Sequence, residues 1–118
     1  MLVVDDDASL RLLCRVNLEL DGHRVLEAAS VEEATAALDE TDIDVVLLDL
    51  HLGNQHGLDV LDAVEARKSA TRVVLLSGSS EITQETRARA AGVLGKPFRL
   101  EELAQVVSGD TSGRLGGA

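Results

Sequence analysis

The sequence predicts an α/β fold in which five helices doubly wind a single five-stranded parallel sheet, a (βα)5 arrangement. Two observations predict it. Five short, mostly apolar runs alternate with five longer segments of helical spacing, so the order strand then helix repeats five times. The short runs are apolar on both faces, which suits parallel strands buried between helices, and right-handed crossovers then place helices on both faces of the sheet.

The predicted strands are runs rich in Val or Leu, at residues 2–4, 25–28, 43–48, 73–76 and, more weakly, 92–95. The predicted helices lie at residues 9–20, 31–39, 57–68, 81–91 and 100–107. The shared apolar faces of the first three helices are formed by Leu13, Val16 and Leu20, by Val31, Ala34 and Leu38, and by Leu58, Leu61 and Val64. Such faces suit helices packed on a buried aliphatic sheet.

Length and composition restrict the class of protein. The 118 residues fit one domain, and because only 1% of them are aromatic, aliphatic side chains must fill its core. The formal net charge of −10 disfavours direct binding of nucleic acid by this domain. The single cysteine, Cys14, excludes an internal disulfide and is interpreted as a small core residue. With no apolar run of about 18 residues and no leader, we expect a cytoplasmic protein without a membrane segment.

The chain divides into two parts of different composition. Residues 1–108 contain all ten predicted elements and form the predicted domain. Residues 109–118, GDTSGRLGGA, are rich in glycine and polar residues and have no apolar period. This composition predicts a flexible C-terminal tail.

Polar residues follow four of the predicted strands. Three aspartates, at positions 5–7, follow the first strand, and Asp49 follows the third. Ser77 follows the fourth strand and Lys96 the fifth. Open α/β sheets place their chemistry at the carboxyl ends of the strands, so we expect these side chains to form one site.

These residue types fit the transfer of a phosphoryl group onto a carboxylate. Closely spaced carboxylates repel one another, and Mg²⁺, which prefers oxygen ligands and keeps several waters, relieves that repulsion. One carboxylate acts as the nucleophile in such aspartyl-phosphate chemistry. Catalysis is then mostly positioning and neutralisation of charge, to which a hydroxyl and an ammonium contribute.

Four motifs carry a resemblance to a known family: LVVDDD at 2–7, VVLLDLHLGNQHG at 45–57, VVLLSGS at 73–79 and GKPF at 95–98. Any one is a modest signal, but four in this order are a strong one. The chain resembles the receiver domain of bacterial two-component response regulators, of the CheY-like superfamily, from residue 2 to about residue 107. The resemblance implies a flavodoxin-like fold and a phosphorylation switch or phosphorelay intermediate.

The resemblance also implies the ligands of Mg²⁺. Asp6 is expected to bind the metal directly, and Asp5 partly through water. Asp49 is both a metal ligand and the phosphoacceptor. The backbone carbonyl of His51 completes the set.

Further roles follow from the same resemblance. Ser77 is expected to be the switch hydroxyl, and Lys96 to contact the phosphate ahead of a cis peptide bond at Pro97. The expected donor is a sensor histidine kinase or a histidine phosphotransfer protein. The domain is expected to catalyse its own phosphotransfer and autodephosphorylation without being an enzyme in the ordinary sense, and homodimers are compatible with it.

The chain departs from the family pattern at several positions. Gly53 stands where the family commonly has proline, and His56 where an acidic residue often precedes the glycine that opens the third helix. Between Ser77 and Lys96 the chain is about three residues shorter than is usual. Counted back from Lys96, Val93 takes the switch position that an aromatic residue usually occupies.

Alternative interpretations stay open at this stage. A haloacid-dehalogenase-like phosphatase also uses an aspartate after a strand, but it requires a second acid two positions later, where this chain has His51. A flavodoxin-like binding module requires a hydroxyl- and glycine-rich loop after the first strand. A receiver fold used only for protein interaction is a third alternative. The aspartates at 5–7 also suit a helix N-cap, and His51 and His56 are interpreted as solvent-facing.

Overall fold

The computed structural model describes residues 1–67, 70–77 and 82–108. Five parallel strands form the main sheet: β1 (Leu2–Val4), β2 (Leu26–Ala28), β3 (Val45–Asp49), β6 (Arg72–Ser77) and β7 (Gly92–Gly95). Their order across the sheet is β2-β1-β3-β6-β7. A separate antiparallel pair, β4 (His51–Leu52) and β5 (Gln55–His56), lies between β3 and the helix that follows. The predicted five-stranded parallel sheet is confirmed.

The five helices are α1 (Ala8–Leu20), α2 (Val31–Glu40), α3 (Leu58–Ala66), α4 (Gln84–Ala88) and α5 (Leu100–Ser108). Side chains of the central strands alternate between two buried clusters, as the period of two in a strand requires. Val46 and Leu48 of β3 join the cluster that α2 and α3 cover, whereas Val45 and Leu47 join the cluster that α1 and α5 cover. The sheet is therefore doubly wound, as predicted.

The first helix packs differently from the prediction. Leu13, Val16 and Leu20, the expected packing face, are 46%, 47% and 79% exposed. Cys14 and Leu18 are buried instead, at 0% and 1% exposure. Periodicity identified a helix correctly, but the helix has two apolar faces and the sheet buries the smaller one.

Element boundaries differ modestly from the predicted ones, except at α4. That helix has five residues, whereas residues 81–91 were predicted to be helical. The β4–β5 pair was not predicted, because two-residue strands have no readable period. Position 68 of the predicted third helix, position 81 of the fourth and the predicted tail at 109–118 lie outside the described residues.

Three of the described helices begin with side-chain caps that the sequence encodes locally, namely α1, α2 and α4. The carboxylate of Asp7 accepts hydrogen bonds from the N–H groups of Ser9 and Leu10, and Ser30 caps α2 in the same way. The helix-capping interpretation of residues 5–7 is thus correct for Asp7. Among the helices that the structure describes, none is long and apolar enough to cross a membrane.

Candidate functional site

The carboxyl ends of β1 and β3 lie side by side, since these strands are neighbours in the sheet. They bring together Asp5, Asp6 and Asp49, which each offer a carboxylate oxygen within 4.8 Å of the others. Asp6 is exposed, whereas the side chains of Asp5 and Asp49 are only 1% and 10% exposed. We call these three residues the acidic pocket.

Lys96 connects the end of β7 to the acidic pocket. Its Nζ donates to Oδ2 of Asp5 at 2.8 Å and to Oδ2 of Asp49 at 2.9 Å. The Lys96 N–H donates to the carbonyl of Ser77, and the Lys96–Pro97 peptide bond is cis, as the resemblance implies. One ammonium therefore lies between two carboxylates that come from different strands.

The electrostatics of the acidic pocket reflect its burial. Desolvation raises the pKa of Asp5, although the hydrogen bond from Lys96 acts in the opposite direction. Burial lowers the pKa of Lys96, but hydrogen bonds to Asp49 and Asp5 outweigh it, so the net shift is upward. The pocket thus holds a firmly protonated ammonium beside a carboxylate that is costly to ionise.

The loop after β3 is closely tied to the acidic pocket. The N–H of His51 donates to Oδ1 of Asp49 at 2.9 Å, and the N–H of Gly53 donates to Oδ2 of Asp6 at 3.0 Å. Gly53 has a φ of 62°, a conformation that favours glycine over other residues. Leu52 is buried beneath the loop. The backbone of His51, predicted to supply a carbonyl ligand, therefore lies next to Asp49.

Gly57 allows α3 to begin directly against the end of β3. A Cβ at this position would lie 2.5 Å from the carbonyl oxygen of Asp49 and 2.7 Å from Cα of Leu50. The N–H of Gly57 also donates to the carbonyl of Leu50. The absence of a side chain at Gly57 is therefore a requirement of the site's geometry.

Two other predicted site residues, Ser77 and Val93, lie on β6 and β7, the strands beyond β3 in the sheet. Ser77 ends β6, whose preceding residue Leu76 pairs with Asp49 on β3. Val93 lies in β7, is half-buried, and packs on the cluster that α2 and α3 cover. The histidines His51 and His56 are exposed and face one another across the β4–β5 pair.

Sequence reasoning missed two residues that support the site. The guanidinium of Arg11 donates to the backbone carbonyl of Asp5 at 2.7 Å and pairs with Glu27. The side chain of Gln55 joins the loop after β3 to the start of α2. No motif marks either residue: the contacts of Arg11 with Glu27 and of Gln55 with Val31 span 16 and 24 positions, and the contact of Arg11 with Asp5, although only six positions long, ends on a backbone carbonyl.

Comparison with known proteins identifies relatives of the whole domain. Residues 1–108 match the family described as "Response regulator receiver domain". The chain is 36% identical over 111 residues to the positive alginate biosynthesis regulatory protein of Pseudomonas aeruginosa, covering 91% of this chain and 45% of that protein. It is 33% identical over 114 residues to the sensor histidine kinase AruS of the same organism, covering 91% of this chain and 11% of the kinase. The chain thus spans less than half the length of these curated relatives.

A solved structure agrees with these relatives. The receiver domain of NtrX from Brucella abortus superposes with a TM-score of 0.84 at 30% identity, covering 94% of this chain and 98% of that one. The fold, the acidic pocket at the carboxyl edge and the family match over residues 1–108 agree with one another. The chain belongs to the response regulator receiver domains of two-component systems.

Proposed function

We propose that Asp49 accepts a phosphoryl group from a phosphohistidine donor, with Mg²⁺ held in the acidic pocket. The donor is a sensor histidine kinase or a histidine phosphotransfer protein. Residues 1–108 form the phosphoacceptor domain, which acts in the cytoplasm as a signalling switch or relay intermediate rather than as an enzyme with a separate substrate. Membership of the receiver family supports this proposal.

The position of Lys96 carries the assignment of Asp49 as acceptor. Of the two carboxylates that share its ammonium, Asp49 is 10% exposed and Asp5 only 1%, so a donor reaches Asp49 more readily. Asp6 is exposed, but in the described residues its carboxylate has no contact with Lys96. Only Asp49 combines access with a cation able to neutralise a transferred phosphoryl group.

The residues of the acidic pocket fit a magnesium ion. Three carboxylates with oxygens within 4.8 Å of one another form a hard, all-oxygen donor set. Asp5, Asp6, Asp49 and the backbone carbonyl of His51 would hold the ion. When bound, Mg²⁺ would neutralise charge on the phosphoryl oxygens.

The proposed transfer is a displacement at phosphorus. An oxygen of Asp49 forms the new P–O bond while the P–N bond to the donor histidine breaks, and the electron pair of that bond leaves with the imidazole. Lys96 exchanges its contact with Asp49 for the phosphoryl oxygens and remains bound to Asp5. The His51 N–H continues to orient the other oxygen of Asp49.

Two further roles belong to the proposal. Ser77, on the strand beside Asp49, supplies the hydroxyl that contacts the phosphoryl group and couples it to conformation. Val93 occupies the switch position, and because it has no aromatic ring, we expect a weak or unconventional response on the surface around α4 and β7.

Intact-mass analysis tests the proposal. Treatment with acetyl phosphate and Mg²⁺ should add one phosphoryl group that is acid-stable and sensitive to hydroxylamine, and omission of Mg²⁺ should prevent it. The Asp49→Asn variant keeps the side-chain shape and should remain unmodified. Modification of that variant would refute the assignment, and an unmodified wild-type chain would favour a domain used only for protein interaction.

A further inference from the structure

The β4–β5 hairpin directly follows Asp49 and is held from two sides. On one side, the N–H of Gly53 at the turn donates to Asp6. On the other side, the side chain of Gln55 reaches α2. We propose that Gln55 is a positioning residue for the metal pocket, whose bridge to α2 holds the backbone of His51 and Gly53 against the carboxylates. This inference rests on the proposed function, since it requires that the pocket bind Mg²⁺.

The bridge made by Gln55 uses both ends of its amide. Oε1 accepts a hydrogen bond from the N–H of Val31 at 2.9 Å, and Nε2 donates to the two carboxylate oxygens of Glu32 at 2.9 and 3.0 Å. Val31 begins α2, so its N–H has no partner within that helix. The hydrogen bond from Gln55 lowers the pKa of Glu32. The contact therefore joins the β4–β5 hairpin to the first turn of α2.

The hairpin needs such external support. Its two strands have two residues each and form no part of the five-stranded sheet. An isolated two-stranded pair of this size is at best marginally stable. Gln55 pairs directly opposite Leu52, which is 3% exposed. Leu52 thus anchors the inner strand in the core, and Gln55 anchors the outer strand to α2.

Loosening this hairpin should weaken magnesium binding. Mg²⁺ requires near-octahedral ligand geometry and tolerates displaced ligands poorly. Residues that orient metal ligands without touching the metal typically contribute a factor of about 10 to 100 in affinity. We therefore expect Gln55→Ala to raise the Kd for Mg²⁺ about ten-fold.

Calorimetric titration of Mg²⁺ into the metal-stripped full chain measures this effect. Asn54→Ala is the matched control, since Asn54 is exposed, lies beside Gln55 in the same hairpin and makes no side-chain hydrogen bond within the described residues. It should leave the Kd unchanged. In the metal-free protein, the Gly53 amide hydrogen should exchange with solvent faster in Gln55→Ala than in Asn54→Ala. Without the bridge to α2, the hairpin opens more often, and the hydrogen bond from Gly53 to Asp6 breaks with it.

A charge-conserving exchange separates positioning from general destabilisation. Gln55→Glu alone sets two carboxylates against each other and should weaken binding. The double variant with Gln55→Glu and Glu32→Gln rebuilds the bridge, because the amide introduced on α2 can donate to the carboxylate introduced on the hairpin, while the Val31 N–H still donates to that carboxylate. It should recover most of the wild-type affinity, whereas a loss caused by anything other than the broken bridge would persist in the double variant.

The outcomes distinguish this inference from the proposed function. A Gln55→Ala chain that binds Mg²⁺ as tightly as wild type overturns the inference, even where Asp49 is phosphorylated normally. Weakened binding with rescue by the exchange supports it, even where acetyl phosphate fails to modify Asp49. A wild-type chain that binds no Mg²⁺ overturns both. Should Gln55→Ala fail to fold, Glu32→Ala removes one of the two contacts that the bridge makes with α2 and must weaken binding in the same direction.

Discussion

Two connections begin at the carboxyl edge of the sheet, and they differ in the contacts that they make with the acidic pocket. The connection from β3 to α3 is tied into the acidic pocket by backbone N–H groups of His51 and Gly53, and by the Gln55 bridge. The connection from β6 to β7 carries the five-residue helix α4. Within residues 82–95 of this connection and of β7, the structure describes no hydrogen bond to the pocket carboxylates, which Lys96 reaches from this side.

The described hydrogen bonds and ion pairs that the connection from β6 to β7 makes with other elements are with β6 and α3. Thr83 caps α4, the Ala91 N–H donates to the carbonyl of Val73, and Arg89 pairs with Asp62 and Glu65 on α3. None of these described contacts is made with a carboxylate of the acidic pocket. In the described residues, α4 and the acidic pocket are therefore held by separate sets of contacts, and Lys96, which follows β7, reaches the pocket.

The first prediction compares Gly57, at the end of the β3–α3 connection, with Gly95 at the end of β7. Gly57→Ala places a Cβ against the backbone of Asp49 and Leu50, which cannot yield as a flexible side chain does. We expect a loss of about 3 kcal/mol in the free energy of unfolding, measured by urea titration, together with weaker magnesium binding.

Gly95→Ala is the matched control in β7. A Cβ at Gly95 meets nothing within 4 Å. Its free energy of unfolding should stay within about 1 kcal/mol of wild type, with either sign. Equal losses in the two variants would contradict the tighter construction of the β3–α3 connection.

The second prediction concerns Lys96, the residue that joins the end of β7 to the acidic pocket. Lys96→Met keeps the length of the side chain but leaves the buried Asp5 without its cation. Because Lys96 is 25% exposed, we expect a loss of about 2 kcal/mol near neutral pH in metal-free protein, less than for a fully buried pair. Urea titrations in EDTA measure it.

The pH dependence of this loss has a definite sign. Burial already raises the pKa of Asp5, and removing Lys96 raises it further. A carboxyl with a raised pKa in the folded state costs nothing below its unfolded pKa, and stability falls as the pH rises through the folded value. The loss should therefore be larger at pH 7.5 than at about pH 4.5. A loss in the free energy of unfolding that is constant with pH would contradict the pairing of Lys96 with Asp5. The control variant Lys96→Arg keeps the positive charge and should show little loss.

The sequence predicted the sheet and the acidic pocket because both depend on local patterns. Apolar runs identify buried strands, and the polar residue after each run, such as Asp49, is carried to the common edge by topology. The roles of those residues in phosphoryl transfer stay predictions. Contacts between distant segments were not predictable: Gln55 meets Val31 across 24 positions, and no pattern in either segment indicates it.

The orientation of α1 shows a second limit. Its exposed residues Leu13, Val16 and Leu20 have the same helical spacing as its buried residues Cys14 and Leu18. Periodicity shows that a helix has an apolar face, but when two faces qualify, only packing against the sheet decides which is buried. The length of α4 was overestimated because its segment is polar and only weakly periodic, so the sequence does not indicate where the helix begins and ends.

The third prediction concerns Arg89 in the second connection. Its guanidinium joins α4 to Asp62 and Glu65 on the surface of α3. Exposed ion pairs contribute little, so Arg89→Ala should cost only about 0.5 kcal/mol in the free energy of unfolding. The difference should shrink in about 1 M salt, where charges are screened beyond about 3 Å. Hydrogen exchange of the α4 amides should rise while that of the β4–β5 hairpin stays constant.

Arg87→Ala is the matched control, since Arg87 lies in the last turn of α4, two positions before Arg89, is exposed and makes no ion pair within the described residues. It should change neither α4 exchange nor stability by a measurable amount. The Kd for Mg²⁺ should equal the wild-type value in both variants, because neither arginine touches the acidic pocket or the hairpin. Weaker magnesium binding in Arg89→Ala would mean that the ion pairs between Arg89 and α3 affect the residues that bind Mg²⁺. The two connections would then be coupled, which contradicts the comparison.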